Sequence, residues 1–224
     1  MKKPILLFAA IIAALVVAFA FCAKNNGSAV DDSENKATSL TQEELEYFNG
    51  TQFFNRHYES MVIDSINIRN QFLSSEYENP KDIDLFQLFY CGSGIEESVA
   101  DEELFAVEKM NGKSFADEEG WICPCTKISA EAMDKVLLEN TGLTLDEINK
   151  ISLDKFTFLE EYNAYYYFHG DSNYRGDIAF HSGERQGDTI RPYYNDTFFG
   201  DGEKVLTLRQ QKGGTYWFVS NLKE

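Results

Sequence analysis

The sequence predicts an α+β domain in which short helices come first and an antiparallel sheet of about four to five strands comes last. Two observations carry this. Helix-capping signals recur between residues 41 and 147, whereas turn residues recur at strand spacing after residue 178. Between them lies Tyr162 to Arg175, Y-N-A-Y-Y-Y-F-H-G-D-S-N-Y-R, with Tyr162, Tyr165, Tyr166, Tyr167 and Phe168 inside seven residues. Aromatic side chains pack well on a pleated surface and lose rotamer freedom in a helix, so this run is expected to be a central strand.

Each element has its own local reason. Thr41-Gln-Glu-Glu44 is a capping box that opens a short helix carrying Leu45, Tyr47 and Phe48, and Asn49-Gly50 ends it. Val62-Ile63 and Ile66 to Leu73 are apolar patches too short to assign by period. Asn79-Pro80-Lys81-Asp82 combines an N-cap, a proline at the first helical position and an early acid, and predicts a helix through Ile83, Leu85, Phe86, Leu88, Phe89 and Tyr90 to Gly92. Asp101 to Met110 is the next, with Leu104, Phe105 and Val107 inward and Gly112 beyond its end. Ser129 caps a third, with Met133, Val136 and Leu137 on its apolar stripe and Gly142 as its stop, and Thr144-Leu-Asp-Glu147 caps a short fourth.

The strands follow. Ile178 to Glu184 and Thr189 to Tyr194 flank a Gln186-Gly187-Asp188 turn, and Pro192, which has no amide proton, places the second of them at an edge or a bulge. Lys204 to Gln211 and Thr215 to Leu222 flank Gly213-Gly214, read as a two-residue hairpin turn. That register pairs Gln210 with Trp217, Leu208 with Val219 and Leu206 with Asn221. It puts Leu206, Leu208, Trp217 and Val219 on the face covered by helices.

The 224-residue chain suits one domain, and a formal charge of −17 repels phosphate backbones and anionic lipid, so nucleic acid is not an expected partner. The remainder is more negative still once Lys2, Lys3 and Lys24 are set aside. Met1-Lys2-Lys3 followed by the uncharged apolar run Ile5 to Ala23 is an export signal, assigned to residues 1–23. Three fates fit it. Ala18-Phe19-Ala20 offers a cleavage site, nineteen apolar residues suffice for an uncleaved anchor, and Cys22 offers lipidation although Phe19 and Phe21 depart from a lipobox. Membrane tethering on the outer face, by anchor or lipid, is preferred over release. Residues 24–40 form a polar tether, and 41–224 a single ectodomain.

Several runs have a family likeness: E-L-E-Y-F-N-G-T-Q-F-F-N from Glu44, N-P-K-D-I-D-L-F-Q-L-F-Y-C-G-S-G from Asn79, and A-Y-Y-Y-F-H-G-D-S-N-Y from Ala164. Together they resemble an uncharacterised family of exported and lipoprotein-like chains of Gram-positive gut bacteria. The resemblance implies a surface or secreted location and brings no assigned activity and no active-site residues. Cys91 and Cys123-Pro-Cys125 depart from that family's pattern, which implies no family-wide cysteine chemistry.

Candidate sites are few. His169 with Asp171 has the composition of a base and its orienting carboxylate, but no nucleophile motif accompanies it, and the surrounding residues are those of a tight turn. Asp171, Asn173 and Asp177 partly match a calcium loop, which fails because Arg175 replaces an oxygen donor and Ser182 stands where the bidentate Glu belongs. No cofactor is expected. With Cys22 set aside, Cys91, Cys123 and Cys125 allow at most one disulfide, and His57, His169 and His181 are too scattered for zinc.

Eighteen Phe, twelve Tyr and two Trp exceed ordinary core needs. Most are expected to fill the core between sheet and helices, and Tyr174, Tyr193, Tyr194 and Trp217 are the candidates for a surface that binds a small molecule, glycan or peptide. Non-catalytic binding is the expected function, and a small extracytoplasmic hydrolase using His169 and Asp171 is the alternative.

Overall fold

A computed structural model of the chain describes residues 36–50, 53–54, 67–90, 92–112, 114, 123–168, 178–196 and 202–224. Strands β1 (Thr38–Ser39), β5 (Phe180–Gln186), β6 (Thr189–Asp196), β7 (Gly202–Gln210) and β8 (Tyr216–Lys223) form a five-stranded antiparallel sheet in the order β1-β5-β6-β7-β8. Strands β2 (Cys125–Ser129), β3 (Thr157–Leu159) and β4 (Ala164–Phe168) form a second, three-stranded sheet in the order β2-β4-β3. Among the described residues, four α-helices precede the large sheet's main strands: α1 (Gln42–Asn49), α2 (Leu85–Tyr90), α3 (Asp101–Asn111) and α4 (Ala130–Thr141). The class is α+β.

Local chemistry sets the helix ends. Thr41 Oγ1 accepts the Glu44 amide while Glu44 Oε2 accepts the Thr41 amide, a closed capping box. The same carboxylate reaches across to β5, where its Oε1 accepts from Arg185 Nη2 at 2.7 Å and Nε at 2.9 Å. At the other end of α1, Asn49 exchanges two hydrogen bonds with the Phe180 backbone, so β5 is clamped at both ends. Ser129 is both the last residue of β2 and the N-cap of α4, and the Met133, Val136 and Leu137 stripe is buried as its spacing requires. Helix α4 packs against β8 and so links the two sheets.

Several elements depart from the sequence reading, each for a physical reason. The Asn79-Pro80 helix is a 3-10 turn, Pro80–Asp82, followed by a break and then α2. Thr144 and Glu147 make their capping hydrogen bonds, but the chain leaves after one turn. The aromatic run is a central strand, yet of the small sheet. Pro192 lies in an interior strand, and the β6–β7 ladder passes from Ile190↔Leu208 directly to Tyr193↔Val205, leaving Arg191 and Pro192 out of the pairing.

The last hairpin closes through three residues, Lys212-Gly213-Gly214. Gln211 donates its amide to Thr215 O at 2.8 Å, and Gln210 pairs with Tyr216. Phe218 therefore faces the core opposite Leu208, and Trp217 pairs with Arg209 on the other face. A bulge between Thr207 and Leu208 then restores the expected pairing of Leu206 with Asn221.

The core lies on one face of the large sheet, where Ile190, Tyr194, Leu206, Leu208 and Phe218 meet Phe54, Phe72, Leu73 and Leu137. Phe72 stacks on Phe218 with ring centroids 4.4 Å apart. On this face the alternation of β7 also buries Lys204, whose Nζ lies 3.3 Å from the buried Asp196 and 3.5 Å from Glu76. Tyr194 donates its hydroxyl to Asn221 at 2.8 Å. Asn221 in turn donates to the Ser75 carbonyl.

Gly142 ends α4 at φ 74°, and a Cβ there would stand 2.7 Å from the Trp217 ring. Gly187, at φ 59° in the β5–β6 turn, would meet nothing. Gly142→Ala is expected to lower the unfolding free energy by about 2–3 kcal/mol, against about 1 kcal/mol for Gly187→Ala. Equal losses in urea denaturation would refute the Trp217 packing.

Candidate functional site

The pocket that stands out opens beside the small sheet. Pairing of β4 with β3 stops at Thr157↔Tyr166, whereas pairing with β2 continues to Cys125↔Phe168. The shorter strand leaves a notch of about 250 Å³ at the end of β4. Tyr166 and Tyr167 form its floor, Phe86 and Tyr90 of α2 and Phe168 its walls, and Asn111, Lys155 and Thr157 complete the lining.

Helix α2 is delivered to this place by Asp84. One carboxylate oxygen caps the helix by accepting the Gln87 amide at 3.0 Å, and the other accepts the Ser152 hydroxyl at 2.8 Å. Leu85 also donates its amide to Ile151 O. These bonds fix α2 against the 3-10 turn Leu153–Lys155. As a result Phe86 stacks on Tyr90 at 4.4 Å, one helical turn apart, and the Lys155 ammonium lies 5.1 Å above the Phe86 ring. Tyr90 in turn meets Tyr167 at 5.3 Å.

The floor is held from behind by a buried carboxylate. Glu103, only 4% exposed, receives Lys127 Nζ at 2.7 Å and the Tyr166 hydroxyl at 2.9 Å on Oε1, and the Ala100 amide at 2.9 Å on Oε2. Burial acts to raise its pKa, but the hydrogen bonds from Lys127, Ala100 and Tyr166 outweigh it and hold the carboxyl below its ordinary range. Tyr166 is pushed far up by burial and by donating to Glu103, so its hydroxyl stays protonated and turned away from the notch. Tyr167 likewise directs its hydroxyl to the Phe89 carbonyl. Both hydroxyls are therefore engaged within the fold, and Tyr166 itself is wholly buried.

The sequence candidates fall elsewhere. Tyr194 is a core residue, and Tyr193 and Trp217 are half-buried on the large sheet; none lines the notch. His169, Asp171, Asn173, Tyr174 and Asp177 lie outside the described residues, as do Cys22 and Cys91. Cys123 and Cys125 are unbonded thiols. Burial, with Cys123 alongside, pushes the Cys125 thiol up to about 11, so it is protonated and non-nucleophilic at neutral pH.

His181 does sit in a hydrogen-bonded row, with Nδ1 3.0 Å from Ser182 Oγ and Nε2 2.8 Å from Glu203 Oε1. The row lies on an exposed bulge of β5 rather than in the notch, and a nucleophile–base pair needs a concave site to seat a substrate. Phe86 and Tyr90 were legible only as apolar helix residues, and Glu103 with Lys127, which hold the floor from behind, were not legible as a pair. An aromatic pair four residues apart on a helix was the available signal for the first. For the second no local signal existed.

Removing Glu103 leaves a cation that is 17% exposed with the longer 3.8 Å contact to Glu97 in place of its 2.7 Å partner. Glu103→Ala should cost about 3 kcal/mol, and adding Lys127→Met should recover part of it, because the weakly paired charge goes with the lysine. The Glu103 pKa is lowered on folding, so its contribution is present above the ordinary carboxylate value and is lost as pH falls through the lowered one. Urea midpoints of wild type and Glu103→Ala should accordingly converge on acidification; a gap constant with pH would contradict the ion pair. Compared with known proteins, the chain matches no family model, and no curated protein or solved structure is significantly similar to it.

Proposed function

We propose that this chain is an exported domain, tethered to the outer face of the cell membrane through residues 1–23, that binds a small ligand without catalysing a reaction. The notch beside β4 is the binding site. The observation that carries this reading is its lining: five aromatic residues, three polar side chains and, among the described residues, no Asp, Glu, His or Cys. Aromatic side chains give contact area at little entropic cost, and a lining without carboxylate, imidazole or thiol suits recognition rather than turnover. The export pattern and the strongly acidic composition agree with a partner met outside the cell, and they disfavour nucleic acid.

Two measurements test this. The mature N-terminus, determined by mass spectrometry from membrane and medium fractions, should show an intact or acylated N-terminal segment in the membrane; a chain found only in the cytosol would end the export reading. For binding, saturation-transfer NMR of the full-length chain with glucose, galactose, N-acetylglucosamine and the aromatic amino acids should detect at least one ligand. That signal should fall by more than tenfold in Tyr90→Ala while the melting temperature shifts by only a few degrees. Transfer that is unchanged in Tyr90→Ala would place binding elsewhere.

A further inference from the structure

We propose that the notch selects a single six-membered ring carrying one carboxylate, with the ring against Tyr90 and Phe168, both half-buried, and the carboxylate on Lys155. This rests on the notch being the binding site. The notch is small: about 250 Å³ is below the usual range for drug-sized ligands and accommodates one ring with a short substituent rather than a chain of rings.

Polarity narrows the class further. The hydroxyls of Tyr166 and Tyr167 are engaged behind the floor. Asn111 and Thr157 are engaged with each other, the Asn111 amide donating to Thr157 Oγ1 at 2.9 Å and to the Val107 carbonyl. Lys155 differs. Its ammonium rests on the Phe86 ring, and no carboxylate of the described residues lies within ion-pair distance, in a chain with 37 acidic and 20 basic residues. No described carboxylate takes up its three donors.

The alternatives fit less well. A quaternary or other cationic ligand would need an open ring face, and the Phe86 face already carries an ammonium; no lining acid offsets the added charge. A phosphate carries more charge than one lysine balances, and the surrounding acidic field opposes it. A monocarboxylate matches one ammonium by a charge-assisted hydrogen bond, and the ring matches the walls. Such a ring acid comes from two sources, a uronic-acid sugar or an aryl acid.

The test pairs each acid with its neutral amide: glucuronate against glucuronamide, and phenylacetate against phenylacetamide, titrated calorimetrically into the full-length chain in detergent micelles. One acid should bind at least tenfold tighter than its amide, and which pair responds identifies the source. The preference should shrink with added salt and vanish in Lys155→Gln, with the amide's affinity unchanged by that substitution. Equal binding of acid and amide, both lost in Tyr90→Ala, would overturn the carboxylate assignment and leave the binding notch standing. No binding of any of the four probes would overturn the carboxylate assignment too, and the notch itself would then fall or stand on the Tyr90→Ala result with the neutral sugars and amino acids.

Discussion

The placement of the small sheet depends on one buried carboxylate. Glu103 collects three donors from three different elements: Ala100 at the start of its own helix, Lys127 on β2 and Tyr166 on β4. A carboxylate at this depth is tolerated only when its lone pairs are filled, and the donors are oriented as strictly as the acceptor. The apolar contacts of Val107, Leu159, Ala164 and Tyr166 supply the attraction between α3 and the sheet, but they are non-directional. The hydrogen bonds decide which way α3 sits, and therefore where Asn111 at its far end reaches Thr157.

The large sheet is positioned by the same kind of device at its rim. Glu44 serves a helix cap and a guanidinium at once, and Asn49 pairs with a strand backbone at both its oxygen and its nitrogen. Short helices are marginal by propensity alone, so α1, with eight residues, owes its persistence to these ties and to Phe48 beneath it. The polar chemistry at helix ends here joins elements, and the apolar chemistry fills the space between them.

What the sequence made legible was local. The Thr41 and Ser129 caps, the Gly112 and Gly142 stops, and the Gly187-Asp188 turn each act within a few residues, and each was readable. The long-range partners were not. Residues Thr38 and Ser39 form a strand only because β5 is beside them, and two residues carry no period. Gly213-Gly214 looks like a two-residue turn, yet the loop includes Lys212, and that one residue exchanged Trp217 for Phe218 on the inner face. Phe105, expected inward, is 68% exposed, because Glu103 and Val107 occupy the face of α3 that meets the sheet. A buried glutamate reads as a solvated one until its donors are known. The notch was hidden for the same reason, since residues 86–90 and 155–168 meet only after both sheets have formed.

The burial of Lys204 against Asp196 has a consequence for how faithfully β7 finds its place. Sliding that strand by a single position would turn the ammonium outward, away from its carboxylate, and drive Glu203 and Val205 toward the interior in its stead, leaving Asp196 with no cation beside it. Purely greasy neighbours such as Leu206 and Leu208 would tolerate several offsets almost equally. A buried ion couple set among the leucines of β7 thus acts as an index pin, admitting one alignment of the strand and penalising its neighbours.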